Sequence, residues 1–177
     1  AADIEAVEIS AYQAALNLHK FRLLDTLPRD KTLGILFEAD TAVLGTAPLG
    51  ASDIPLFACV HNEDGFLPRF VDHYRALGVT HFFFVDAHSE RPVRDLDLGA
   101  GVSVVRPKVG DFKSSKTLWL EGLMRYFVSD GGWVVVADAD EFLQLPEPFR
   151  DLAALRKALT GRGRDCCPGL LLDMVPG

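Results

Sequence analysis

Trp133-Val134-Val135-Val136-Ala137-Asp138-Ala139-Asp140-Glu141-Phe142 decides how the rest of the chain is read. The run up to Ala137 is short, apolar and rich in β-branched residues, which suits a strand buried on both faces. It ends abruptly in the carboxylates of Asp138, Asp140 and Glu141. If the backbone stays extended through Asp140, the period of two puts Asp138 and Asp140 on one side. Carboxylates so close repel each other, and a divalent cation removes that conflict. Their hard oxygen donors suit Mg²⁺ or Mn²⁺, ions that keep coordination positions open for a substrate phosphate. The alternative is a solvated acidic turn. The sharp change from apolar strand to acids argues against it.

Upstream of this stretch, strands and helices alternate. Leu56 to Val60, His81 to Val85 and Val102 to Val105 read as strands, and Trp133 to Ala137 is the fourth. Between the first two, Phe66, Phe70, Val71, Tyr74 and Leu77 recur at helical spacing, with Pro68 near the first turn and Gly78 as a stop. Lys116 to Val128 reads as a second helix, closed by Asp130-Gly131-Gly132. Phe149, Leu152, Leu155 and Leu159 mark a third, and Gly169 to Met174 a fifth strand. Such alternation implies parallel pairing through right-handed crossovers, hence an α/β, Rossmann-like, mostly parallel sheet with flanking helices.

The first part of the chain differs. Ile4 to Leu18 shows helical spacing, and Leu33 to Phe37 with Ala42 to Leu44 reads as two short strands around Ala39-Asp40-Thr41. Gly45 to Pro55 is a connector. Residues 1–53 therefore read as an accessory helix and hairpin, which either packs on the sheet edge or mediates self-association. Residues 54–177 form the nucleotide-binding-type domain.

Composition limits the function classes. The chain has 177 residues and a formal net charge of −7, which argues against a general nucleic-acid binder. No apolar run approaches the ~18 residues of a membrane span. The chain opens without an initiator Met and without a signal-peptide pattern, as a processed form, a trimmed chain or a fragment would. Cys59, Cys166 and Cys167 lack metal-ligand spacing and read as reduced thiols, which places the protein in the cytoplasm, with peripheral membrane association left open.

In parallel sheets, ligands bind outside the carboxyl ends of the strands. The residues that follow the four strands are His61, Asn62 and Glu63; Asp86, His88 and Ser89; Lys108, Asp111 and Lys113; and Asp138, Asp140 and Glu141. No GxGxxG follows the first strand and no GxxxxGK[ST] occurs, so a metal held by the acids is the natural substitute for a phosphate loop. A phosphatase that uses D-x-D would carry it after the first strand of its domain, not the fourth.

Taken together, Cys59-Val60-His61-Asn62-Glu63, Leu67-Pro68, His73-Tyr74, Leu77-Gly78-Val79, Phe84-Val85-Asp86-Ala87-His88-Ser89 and Asp138-Ala139-Asp140-Glu141-Phe142 resemble the glycosyltransferase family-2-like proteins, closest to the bacterial branch with D-x-D-E-F. The resemblance covers residues 55–175. It implies a GT-A type fold and transfer of a sugar from a UDP- or GDP-sugar to a glycan, lipid-linked or small acceptor, with inversion. On that resemblance Asn62, Glu63, Asp86 and Ser89 lie on the nucleotide side, and Asp138 and Asp140 hold Mn²⁺ or Mg²⁺ on the diphosphate. Lys113 and Lys116 either neutralise the diphosphate or solvate a helix start. Glu141 is either a partner of the metal or a base, or points into solvent. His61 and His88 either face the crevice or are structural, and His73 is structural. Trp119 and Trp133 are either core or a sugar platform. Asp173 is a remote acceptor-side candidate. The family carries its acceptor half further along the chain, so much of that half is expected to be missing here. A non-catalytic nucleotide-sugar-binding or interaction module on the same fold is the alternative. A nucleotidyltransferase ranks behind both, because no Gly-rich basic loop follows the first strand.

Overall fold

The computed structural model describes residues 29–38 and 49–167. The expected helix before Pro28, the strand Ala42 to Leu44, its turn, the strand Gly169 to Met174 and Asp173 lie outside the described residues.

β1 (Pro55–Val60), β2 (His81–Asp86), β3 (Val102–Val105) and β4 (Val135–Val136) form one sheet in the order β3-β2-β1-β4, every pair parallel. This is an α/β, Rossmann-like arrangement. Among the described residues the helices are α1 (Arg29–Leu36), α2 (Leu67–Ala76), α3 (Phe112–Phe127) and α4 (Leu152–Thr160), with one 3₁₀ turn at Val93–Asp95. None of them is long and apolar enough to cross a membrane.

The period of two divides the core into layers. Phe57, Cys59, Phe83 and Val85 face α1 and α3, where they meet Leu36, Trp119, Leu123 and Phe127. Leu56, Ala58, Val60, Phe82 and Phe84 face α2 and α4, where they meet Phe70, Val71, Tyr74 and Leu152. Every residue of β1 is buried, as a central strand covered on both faces requires. Phe57 and Phe83 stack at 4.8 Å across the β1–β2 register, and Phe83 stacks on Phe127 at 4.6 Å. α2 begins with Pro68 in its first turn, where the missing N–H costs nothing. α3 and α4 begin at Asp111 and Asp151, whose carboxylates accept from backbone N–H groups of the first turn.

Two expectations need correction. Leu33 to Phe37 is not a strand of a hairpin. Leu33 to Leu36 lies in α1, and Phe37 makes a single antiparallel bridge to Pro107. Thr32, Leu33, Leu36 and Phe37 are buried while Lys31 and Gly34 are exposed, which is a helical face. A short apolar run fits either period, and the decision comes from α3. Gly122 has no side chain there, and a Cβ on it would stand 2.5 Å from Leu36 Cδ1. Close helix packing is what that gap permits.

The second correction concerns the stretch that opens the reading. The ladder of β4 covers only Val135 and Val136, paired with Leu56 and Phe57, and Val136 is 52% exposed. β4 is an edge strand among the described residues, not one buried on both faces. The backbone also leaves the extended path. Ala139 and Asp140 form a turn, closed by the Glu141 N–H donating to the Asp138 carbonyl at 3.0 Å.

Candidate functional site at the carboxyl ends of β1 and β4

The chain leaves β1 toward β2 through α2 on one face, and reaches β4 on the other side of β1 through α3 on the opposite face. The β1–β4 boundary is therefore the point where strand order reverses, the usual position of a ligand crevice in such sheets.

The acidic turn stands at this boundary. Ala137 and Ala139 are buried in the α2-side core, while Asp138 and Asp140 are both exposed. Exposure thus alternates from Ala137 to Asp140, although the backbone turns instead of staying extended. Asp138 Oδ1 accepts from Lys116 Nζ at 3.1 Å, and that ammonium also lies 4.4 Å from the centre of the Phe112 ring, one helical turn earlier. The Glu141 carboxylate folds back, and its Oε2 accepts from the Asp138 N–H at 3.3 Å. α2 clamps the segment after the turn. The Tyr74 hydroxyl donates to the Glu141 carbonyl at 3.1 Å and accepts from the Leu143 N–H at 3.2 Å. His73 Nε2–H donates to the Leu143 carbonyl at 2.9 Å, and Phe142 lies edge-on to Phe70 and His73. Burial pushes the Tyr74 phenol above its ordinary value; the Leu143 bond opposes the rise and the Glu141 charge adds to it.

A second group of bonds stitches the loops after β1 and β2. Asp86 is fully buried; its Oδ1 accepts from the Ser89 N–H at 2.9 Å and its Oδ2 from the Val93 N–H at 3.1 Å. Arg106 Nε lies 3.7 Å from Asp86 Oδ2 and makes no hydrogen bond among the described residues. The Ser89 hydroxyl accepts from the Asn62 N–H at 3.0 Å, and Asn62 Oδ1 accepts from the Glu90 N–H at 2.8 Å. Asn62 and His88 both sit at positive φ, 61° and 60°. Asn visits this region more readily than most residues. His61 Nδ1–H donates to the Ala87 carbonyl at 2.8 Å, and Nε2 lies 3.5 Å from Asn62 Nδ2. The His61 ring lies 5.6 Å from Phe112.

Of the residues expected at the site, Asp138, Asp140, Lys116 and Asn62 reach the surface of this edge. Glu141 is half-buried and turned onto the backbone of the turn. Glu63 is half-buried, and its carbonyl accepts the Phe66 and Leu67 N–H groups that start α2. Asp86 and Ser89 lie beneath the surface, and their visible work is to hold the β2 loop. His73 is structural, as expected. Trp119 is core: it is 1% exposed and donates to the Val109 carbonyl. Trp133 lines a cleft of about 90 Å³ with Pro55, Val128 and Gly131 at the amino ends of the strands, away from the acids. The clamp by Tyr74 was not anticipated. Its signal was a Tyr on the buried stripe of α2, since a buried phenol needs a polar partner.

Cys59 lies under Lys116, with its thiol 3.9 Å from the Lys116 carbonyl. Burial pushes it up to about 12, against the pull of the Lys116 charge and with a small push from Asp138. It is an inert core thiol. Asp111 is held below its ordinary value, first by the Ser114 hydroxyl and then by the Ser114 and Lys113 N–H groups.

Among the described residues, no group of three or more His, Cys, Asp and Glu side chains is placed to hold a metal ion. The donors present are two exposed carboxylates at a strand end. That set fits a Mg²⁺ or Mn²⁺ ion that draws its other ligands from water and a phosphate, and does not fit a structural zinc site. No protein-family model, curated protein or solved structure matches the chain.

Proposed function

We propose that this chain is the nucleotide-sugar-binding part of a metal-dependent glycosyltransferase, with a UDP- or GDP-sugar as donor and a glycan, lipid-linked or small acceptor. One observation carries the reading: at the β1–β4 switch point Asp138 and Asp140 are both exposed, and Lys116 Nζ lies 3.1 Å from Asp138 Oδ1. The strand-end sequence pattern adds to it. In this reading Asp138 and Asp140 hold Mn²⁺ or Mg²⁺, which when bound supplies Lewis-acid stabilisation of the leaving diphosphate. Lys116 adds a positive charge on the same side. The amino end of α3 contributes its helix dipole. Asn62 and His61 form the wall toward the nucleoside. The Tyr74 and His73 bonds keep the acidic turn rigid, so that the carboxylates need little reorganisation.

Asp140→Ala tests this. The variant should keep its melting temperature and lose Mn²⁺-dependent binding of UDP or GDP by calorimetry. Unchanged affinity would remove Asp140 from the site.

A second reading, binding without turnover, is favoured by Glu141. Its carboxylate is engaged by the Asp138 N–H and would have to swing away to serve as a base. Slow donor hydrolysis that requires Asp138 and Asp140 would count against that reading.

A further inference from the structure

Lys116 and Asp138 are 22 residues apart in sequence, yet a direct side-chain bond of 3.1 Å between them ties α3 to the acidic turn. The pair is partly open to water, with Lys116 about one-third and Asp138 about one-half exposed. Exposed pairs of this kind are weak and easily exchanged. The base of Lys116 is fixed, because α3 packs against β1 and the Lys116 carbonyl lies against Cys59. Among the described residues its ammonium is held by Asp138 and by the face of Phe112, so the tip can move while the stem stays.

We propose that Lys116 is an exchangeable counterion of the acidic turn. It neutralises Asp138 while the site is empty, yields that carboxylate to an incoming divalent cation, and then neutralises the diphosphate that arrives with the metal. The inference rests on the glycosyltransferase reading and adds to it the order of events at the site. Two physical points support it. An ammonium 3.1 Å from Asp138 Oδ1 and a divalent cation on the same carboxylate repel each other, so the arrival of one weakens the hold of the other. A lysine is a compact point charge on a flexible four-carbon stem, suited to such a shift, whereas an arginine would hold the carboxylate with a rigid fork. The Phe112 ring gives the displaced ammonium a second resting surface beside the site.

The idea predicts effects of opposite sign. In Lys116→Met, Mn²⁺ alone should bind about threefold to fivefold more tightly than in the parent chain, the range expected for losing an exposed pair. UDP or GDP at saturating Mn²⁺ should bind the same variant more weakly, by about tenfold. Mn²⁺ binding is read by the loss of the free-ion electron paramagnetic resonance signal, nucleotide binding by calorimetry, and folding by the melting temperature. Lys116→Arg should bind Mn²⁺ alone no more tightly than the parent. Equal or weaker Mn²⁺ binding in Lys116→Met, with clear binding in the parent, overturns the exchange and leaves the metal site standing. Tighter Mn²⁺ with unchanged nucleotide affinity overturns the second half of the cycle. No Mn²⁺ binding in either chain refutes the metal site itself, and the exchange with it.

Discussion

Replacing Tyr74 by Phe removes one oxygen atom and tests what holds the acidic turn in place. The ring is 2% exposed and stays, so no cavity term arises. What is lost is the donation to the Glu141 carbonyl at 3.1 Å and the acceptance from the Leu143 N–H at 3.2 Å. At about 1 kcal/mol net per bond, the loss is about 2 kcal/mol. For a chain of this size that is a fall of about 4–8 °C in melting temperature. The effect should be local as well as global. The Leu143 amide should exchange faster with solvent, while amides in β1 should shift only with global stability. There is also a pH signature. Burial raises the Tyr74 phenol above 10.0, so its contribution is complete below that value and is lost as pH rises through the folded-state value. The parent chain should therefore lose more stability on alkalinisation than Tyr74→Phe. Urea unfolding at neutral and alkaline pH, with hydrogen exchange at Leu143, measures all of this. A loss under about 0.5 kcal/mol with unchanged Leu143 protection would refute the clamp.

Two further outcomes follow from the packing. Burial raises Cys59 from 9.0 to about 12, so its contribution is present below pH 9 and disappears as pH climbs toward 12. Cys59→Ala should flatten the alkaline loss of urea stability, and in the parent chain Cys59 should resist alkylation at pH 8; rapid labelling of the native thiol would contradict its burial. Gly122→Val places atoms where Leu36 Cδ1 already stands and should cost roughly 2 kcal/mol or more, with α1 loosening first. An unchanged urea midpoint would show that α1 does not pack where the structure puts it.

β1, β2 and β3 were legible because nothing in them competes with the apolar signal. Val102–Val105 matches the expectation, β2 runs one residue further to Asp86, and β1 begins one residue earlier at Pro55. β4 was over-read. A run of β-branched residues reports β preference, not the number of neighbours, and Trp133 to Ala137 pairs with only one strand among the described residues. Leu33 to Phe37 was misread because five residues of mixed apolar character do not choose between periods of 2 and 3.6. The gap at Gly122, far along the chain, makes the choice.

At the site, the period of two placed Asp138 and Asp140 on one side of an extended backbone; the backbone instead turns at Ala139 and Asp140, and both acids are exposed while Ala137 and Ala139 are buried. The role of Asp86 was hidden. Its partners are the backbone N–H groups of Ser89 and Val93, which converge on it only because the loop turns at His88 with positive φ. The Lys116–Asp138 pair was hidden for a related reason, since it depends on how α3 lies against the β1–β4 edge.

The central claim is that the β1–β4 edge binds a nucleoside diphosphate through a metal held by Asp138 and Asp140. Calorimetric titration of the chain with UDP, GDP and CDP, with and without Mn²⁺, tests it most directly. The account predicts micromolar binding of UDP or GDP that vanishes without the metal. Absence of binding by all three nucleotides in the presence of Mn²⁺, or binding indifferent to the metal, would contradict it.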